Sequence, residues 1–168
     1  MGKDGAYWIE KLQLTKHPEG GAFREVYRSG LIISKNNLPT DFNSNRNFST
    51  SIYFLLEDSD FSAFHRIRSD ELWNFYSGDP VIVSEIDIFS GALVKHKLGN
   101  DPEKGEVFQT VIRARNWFGA SLLTERGYAL MGCTVSPGFD FEDFELGKRD
   151  LLTQKFPQHQ KLIEALTR

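Results

Sequence analysis

The chain has 168 residues, enough for one domain with a substantial core. Its net charge of -3 gives no global attraction to nucleic acid or to an anionic membrane surface, and no run of about eighteen apolar residues offers a transmembrane helix. A single cysteine, Cys133, excludes an internal disulfide framework and a cysteine-based zinc cluster. The N-terminus lacks the apolar core of a signal peptide, so a cytoplasmic protein is expected.

Tyr7, Trp8, Leu12 and Leu14, set among Glu10, Lys11 and Gln13, predict a short amphipathic helix over 5–14. His17-Pro18-Glu19-Gly20-Gly21 breaks it. Phe23 to Tyr27 alternates around Arg24 and Glu25 as a strand does. Ser34 to Asn47 is polar, carries Pro39, and suits a mobile loop. Ser49 to Leu56 is β-branched and aromatic, hence a strand. Phe61 to Gly78 holds two aromatic-rich runs around a polar break at Arg68-Ser69-Asp70, which reads as two strands joined by a turn. His65, Ile67, Glu71, Trp73 and Phe75 share parity, so all five would leave one face of that pair.

Further strands are predicted over Val81–Phe89, Ala92–Leu98, Val107–Ile112, Trp117–Leu123 and Tyr128–Val135. Phe139 to Leu146 alternates aromatics with acids, and the phase slips at Glu142-Asp143. A bulge there would keep the aromatics on one side. Lys148–Phe156 and Gln158–Leu166 carry apolar residues at helical spacing, with Pro157 between them. Many short strands with helical ends point to one antiparallel sandwich or barrel over 1–168.

His65 and Glu71 form the first candidate site. A metal held by imidazole and oxygen needs three or four converging groups, and this stretch offers two. A half-buried His paired with a carboxylate is the plainer reading. Among the arginines, Arg24 follows Gly20-Gly21, where backbone can approach a ligand closely. Arg66, Arg68, Arg113 and Arg115 read as solvated charges when taken singly. Gln109 and Trp117, with Tyr53, Tyr76 and Phe139, have the make-up of an aromatic-walled pocket with polar tips, and equally of ordinary core. Cys133 has no basic neighbour in sequence to lower its pKa and reads as a buried structural thiol. Walker, Rossmann and nucleophile-elbow motifs are missing.

Taken together, several blocks resemble the DUF985 (cupin_5) family. They are His17-Pro18-Glu19-Gly20-Gly21 with Phe23-Arg24-Glu25, the strand Ser49 to Leu56, His65-Arg66, Ser69 to Trp73, Gly78-Asp79-Pro80, Trp117 to Ala120, and Gly132 to Glu145. The match runs in order through nearly the whole chain. It implies a mainly β fold, the cupin double-stranded β-helix or jelly-roll sandwich, with an N-terminal helix, C-terminal helices and a homodimeric state. The fold is similar to that of RmlC-type dTDP-sugar epimerases and germin-like proteins.

Laid on the general cupin pattern, His65 fits the first His of the first motif. Ile67 replaces the second His, Glu71 fits the Glu, Gly78 closes the motif, and Ser59 stands at its leading Gly. Arg113, Arg115 and Phe118 stand at the Pro, Gly and His of the second motif. Two of the usual ligands are replaced, so neither a metal nor another cofactor is expected. The epimerase relatives bind a sugar nucleotide without metal and use a His paired with a carboxylate as base. By that resemblance His65 would be the base, Glu71 its partner and Tyr53 (or Tyr76) the acid. The arginines at 113 and 115 suggest an anionic ligand. The expected ligand-binding set is Arg24, Thr50, Ser51, His65, Glu71, Trp73, Gln109, Arg115, Trp117 and Phe139.

The leading expectation is a barrel that holds an anionic sugar, sugar-nucleotide or nucleotide and acts as a metal-independent epimerase or isomerase. No nucleic acid or membrane partner is expected. The alternatives are a non-catalytic ligand sensor with the same pocket, and a metal-dependent cupin enzyme such as a dioxygenase.

Overall fold

The structure, a computed structural model, describes residues 3–168. Helix α1 (Gly5–Leu12) starts at Asp4, whose carboxylate accepts a hydrogen bond from the Tyr7 amide, and stops where Gln13 turns left-handed. The strands in chain order are β1 (Thr15–Lys16), β2 (Ala22–Arg28), β3 (Ile32–Ile33), β4 (Arg46–Asn47), β5 (Thr50–Glu57), β6 (Phe61–Arg66) and β7 (Asp70–Gly78). They continue with β8 (Val81–Ile86), β9 (Leu93–Leu98), β10 (Gln109–Ile112), β11 (Trp117–Leu122), β12 (Tyr128–Ser136) and β13 (Glu145–Leu146). Helices α2 (Arg149–Lys155) and α3 (Gln160–Ala165) end the chain. No helix among the described residues is long and apolar enough to cross a membrane.

Two antiparallel sheets make the sandwich: a six-stranded one in the order β1-β2-β5-β12-β7-β10, and a five-stranded one in the order β13-β6-β11-β8-β9. Their inner faces bury Phe54, Leu56, Trp73, Phe75, Val83, Phe118 and Met131 in one core. Helix α1 covers Leu55 and Leu130 on the outer face of the first sheet. The C-terminal helices cover Phe64, Ile86 and Trp117 on the outer face of the second, burying Leu152, Phe156 and Ile163. This is the mainly β cupin-type sandwich with helical ends that the residues led us to expect.

The pair β6–β7 departs from expectation. The strands do not form a hairpin. Strand β6 is paired on both sides, by β11 and β13, and β7 on both sides, by β12 and β10, so neither has a free edge for the other. They face each other across the sandwich, and His65, Ile67, Glu71, Trp73 and Phe75 are all buried between the sheets.

Two local expectations also change. The stretch Ser34–Asn47 is anchored, because Phe42 is buried and the Arg46 guanidinium lies 5.5 Å from its ring centre. Phe139 to Leu146 makes its phase change with a 3-10 turn over Phe141–Asp143, not a bulged strand.

Candidate functional site

Strand alternation sends Thr50, Ile52 and Phe54 of β5 inward, together with Phe23 and Glu25 of β2 and Cys133 and Val135 of β12. His65 and Ile67 meet them from the second sheet. Together with Glu71 and the strap carrying Phe139, Phe141 and Phe144, they enclose a cavity of about 220 Å³. Its walls are largely aromatic and aliphatic. That volume is below the ~300–1,000 Å³ usual for drug-sized sites and suits a single ring with short substituents.

The loop His17–Gly21 supplies the group that defines the chemistry. Gly20 and Gly21 have φ of +114° and +71°, and a Cβ at Gly20 would collide with the Phe61 carbonyl on β6. The glycines therefore let this loop lie flat against β6, where the Ala63 amide donates to the Glu19 carbonyl at 2.8 Å. That contact aims the Glu19 side chain inward. Glu19 Oε2 stands 3.0 Å from His65 Nε2, and Ser62 Oγ donates to Glu19 Oε1 at 2.8 Å.

The proton positions follow from these bonds. His65 Nδ1 lies 2.8 Å from the Ala63 carbonyl, which can only accept, so Nδ1 carries a hydrogen. In the neutral ring Nε2 is then bare, and the 3.0 Å contact with Glu19 requires a proton between the two atoms. One proton is shared by Glu19 and His65. Burial pushes Glu19 up to about 7 and His65 down to about 4, so the proton resides on the carboxyl side and the pair is uncharged. His17 Nδ1, 3.4 Å from Glu19 Oε2, accepts from the Glu19 amide, and burial lowers its pKa too.

Glu71, on β7 across the cavity, is only 7 % exposed. Burial, then the nearby Glu19 charge, raises it to about 8. The Cys133 thiol and the Trp73 indole beside it oppose that rise. Cys133 lines the same wall, and burial, with Glu71 and Glu19 nearby, pushes its thiol up. At neutral pH the floor of the cavity thus holds Glu71 as a carboxylic acid and His65 as a neutral imidazole, with Glu19 titrating near neutrality between them.

The expected pairing of His65 with Glu71 is corrected: the partner is Glu19. Tyr53 and Ser51 sit on the outer face of β5, where Tyr53 packs edge-on against Tyr76 and Ser51 Oγ meets Thr134 Oγ1. Odd positions of β5 point away from the cavity, so neither Tyr53 nor the exposed Tyr76 can be its acid. Arg24 also points outward and caps α1 through Leu12 O and Gln13 Oε1. Gln109, on the edge strand β10, donates to Asn74 of β7. Arg115, held in a left-handed backbone at φ +69°, grips Asp41 in a separate surface cleft. Arg113 reaches Asp70. Trp117 is buried against the C-terminal helices with Arg66 over its ring, and Trp73 lies beneath the cavity against Phe54 and Phe118. Of the expected set, Thr50, His65, Glu71 and Phe139 line the cavity.

Arg28 is the guanidinium that does reach the cavity. A register shift between Glu25 and Tyr27 reverses the alternation of β2 and turns Arg28 inward. It binds Glu25 through two nitrogens, at 3.0 and 2.6 Å, and also donates to Asn47 and to the Phe139 carbonyl.

The side chains do not fit a cupin metal. Ile67 and the ring of Phe118, whose centre is 4.1 Å from that of His65, occupy two ligand positions, and His65 Nε2 is engaged by Glu19. Among the described residues no three His, Cys, Asp or Glu groups converge in a ligating arrangement.

Comparison with known proteins agrees with this architecture. A family model described as Cupin superfamily (DUF985) matches residues 6–147. The uncharacterised protein YML079W of Saccharomyces cerevisiae is 34% identical over 146 residues, which are 80% of this chain and 71% of that protein. A solved structure of protein SO0799 from Shewanella oneidensis superposes with a TM-score of 0.87 at 35% identity, covering 99% of each chain. A hypothetical protein from Leishmania major gives 0.89 at 32% identity, covering 98% of each. Oxalate decarboxylase from Bacillus subtilis shares the fold alone, with a TM-score of 0.52 at 16% identity over 90% of this chain and 36% of that one.

Proposed function

The chain belongs to the DUF985 family of the cupin superfamily, and on that premise we propose that it binds a hydroxyl-bearing ring of the sugar class in its sandwich cavity and moves a proton on it through Glu19 and His65. The single observation that carries this reading is the 3.0 Å contact between Glu19 Oε2 and His65 Nε2 at the wall of an aromatic cavity.

Three features support the ligand class. The polar groups of the floor, Glu19 and Glu71, offer carboxyl oxygens that accept and, where protonated, an O–H that donates, so ligand hydroxyls, which do both, satisfy them. The walls present aromatic faces on which the apolar face of a ring can lie. Charge on the ligand belongs outside: two buried carboxyls disfavour an anion at the floor, whereas Arg28 stands at the edge of the cavity beside Asn47. A phosphate or nucleotide portion would therefore lie at Arg28, with the ring inward. The cavity volume matches the ring and not the whole of a nucleotide sugar.

The chemistry proposed is isomerisation or epimerisation by general acid–base transfer. In that transfer Glu19 passes its proton to His65 Nε2, and the carboxylate so formed is the base that accepts a ring proton. Glu71, protonated at neutral pH, is the donor on the opposite wall. Each group contributes about 10²–10⁴-fold in such catalysis. A non-catalytic ligand sensor is the second reading, favoured by the outward position of Tyr53, which removes the acid that the epimerase likeness implied. Solvent-deuterium incorporation into a bound sugar phosphate or nucleotide sugar separates the two. Exchange supports the isomerase, and binding without exchange supports the sensor.

A further inference from the structure

One wall of the cavity belongs to neither sheet. After β12 the chain crosses from the six-stranded sheet to β13 on the five-stranded one, and this strap contributes Phe139, Asp140, Phe141 and Phe144 to the lining. Its backbone support is thin. Gly138 N donates to Asn47 O and Phe139 N to Thr50 Oγ1, Arg28 donates to the Phe139 carbonyl, the 3-10 turn closes on itself, and at the far end β13 pairs with β6 over two residues and Gly147 N donates to Phe64 O. No sheet ladder runs through its middle.

What holds the middle is ionic. The Asp143 carboxylate is buried and takes Arg46 Nε and Nη2, both at 2.6 Å, and Arg68 Nη1 at 2.7 Å. Ser44 Oγ donates to Glu142 at 2.7 Å, and Arg66 Nε to Glu145 at 2.8 Å. The partners of Asp143 and Glu142 come from elements fixed in the fold: Arg46 is itself buried over the Phe42 ring, and Arg68 sits in the link between β6 and β7. Releasing these side-chain contacts frees the middle of the strap, between its anchors at Gly138 and β13, while both sheets keep their hydrogen bonds. Local openings of this kind need less free energy than global unfolding.

We propose that the strap 138–147 is the lid of the cavity and that Asp143, gripped by Arg46 and Arg68, is its latch, so that ligands enter and leave by release of this contact. The acids of the strap hold it to the arginine plate and its phenylalanines close the cavity. The polar stretch 34–47 is the plate and not the lid. The proposal rests on the cavity being the ligand site, and on no particular chemistry there.

Cys133 makes the test independent of any ligand. It is the single cysteine, it is buried, and it lines the cavity. Its reaction with the small uncharged thiol reagent 4,4′-dithiodipyridine reports opening. In native conditions the wild-type protein is expected to react slowly. D143N should react at least about tenfold faster, the shift in opening expected when charge-assisted hydrogen bonds are lost, and R68A by a smaller factor. I163A, which weakens the core beneath the C-terminal helices, is the control for global destabilisation and should react near the wild-type rate at matched denaturant stability. Wild-type reactivity in both D143N and R68A overturns the lid. So does equal acceleration in I163A at equal stability. Should D143N fail to fold, R68A, whose side chain is partly exposed, carries the test alone. Loss of the lid with ligand binding intact would leave the reading of the cavity standing, which keeps the two failures apart.

Discussion

His65 Nε2 and Glu19 Oε2 are 3.0 Å apart inside the sandwich, although 46 positions separate them in the chain (65 − 19) and neither lies next to a charged residue in the first cupin motif other than Arg66. Because Nδ1 is committed to the Ala63 carbonyl, the pair can only be joined by a proton on the Glu19–Nε2 line. Nitrogen NMR of the imidazoles is expected to show His65 as the Nδ1–H tautomer at pH 7, with protonation delayed well below the ordinary value of 6.5. E19Q can still donate an amide hydrogen to Nε2, so its stability should lie within about 1 kcal/mol of wild type, whereas E19A should lose about 1–3 kcal/mol by leaving Ser62 and His65 without a partner. Urea denaturation measures both. An Nε2–H tautomer would break the proton assignment.

The buried acids make stability fall with pH across neutrality. Glu71 at about 8 and Glu19 at about 7 both hold protons longer in the folded chain than at their ordinary 4.5, so their contribution is present below about 4.5 and is lost as pH rises toward 7–8. His65, at about 4 against 6.5, has the opposite sign: its contribution grows between these values and is complete above them. The lowered His17 acts in the same direction as His65. The terms largely offset between about pH 4.5 and 6.5. From pH 6.5 to 8 the carboxyls stand alone, and a loss of about 1–2 kcal/mol is expected. Denaturation curves taken in half-unit steps check the slope, which E71Q should flatten. A rise in stability over that interval would contradict the protonated floor.

Gly20 is the residue whose backbone brings Glu19 into the cavity. G20A places a Cβ against the Phe61 carbonyl at a φ of +114°, and a cost of about 1–3 kcal/mol is expected. The same variant should perturb the His65 imidazole signals, since the loop must move away from β6. A destabilised G20A with unchanged His65 signals would mean that the loop does not position Glu19.

Arg28 separates two accounts of ligand charge. R28A should weaken a phosphorylated sugar about tenfold or more relative to its unphosphorylated parent, the worth of hydrogen bonds to a charged group. R24A and R115A should leave both affinities unchanged, because Arg24 caps α1 and Arg115 holds Asp41. Isothermal titration with the matched pair of ligands reads this directly. Equal loss in R24A would restore the sequence-based assignment.

The parity of Phe61–Gly78 was legible because strand alternation is local. It places His65, Ile67, Glu71, Trp73 and Phe75 inside even though the two strands lie in different sheets. Which sheet each strand joins is set by long-range pairing with β11, β12 and β13, and no local pattern carries it. The same alternation, applied to β5, would have turned Tyr53 and Ser51 outward once Thr50 was placed inside. Arg28 was hidden by the register shift in β2, which reverses parity without any glycine or proline to announce it. Glu19 was visible only as part of a turn. Its signal was the Gly20-Gly21 pair, which marks a close backbone approach, though to β6 and not to a ligand.

The most direct measurement of the central claim is proton NMR in D₂O of the wild-type protein and E19Q with sugar phosphates and nucleotide sugars that stabilise it in a thermal-shift screen. The account predicts that at least one such compound binds, that wild type replaces a ring hydrogen of that compound by deuterium, and that E19Q binds it with exchange slowed by at least about 10²-fold. Stabilisation by none of these compounds, or exchange at the same rate in E19Q as in wild type, would contradict it.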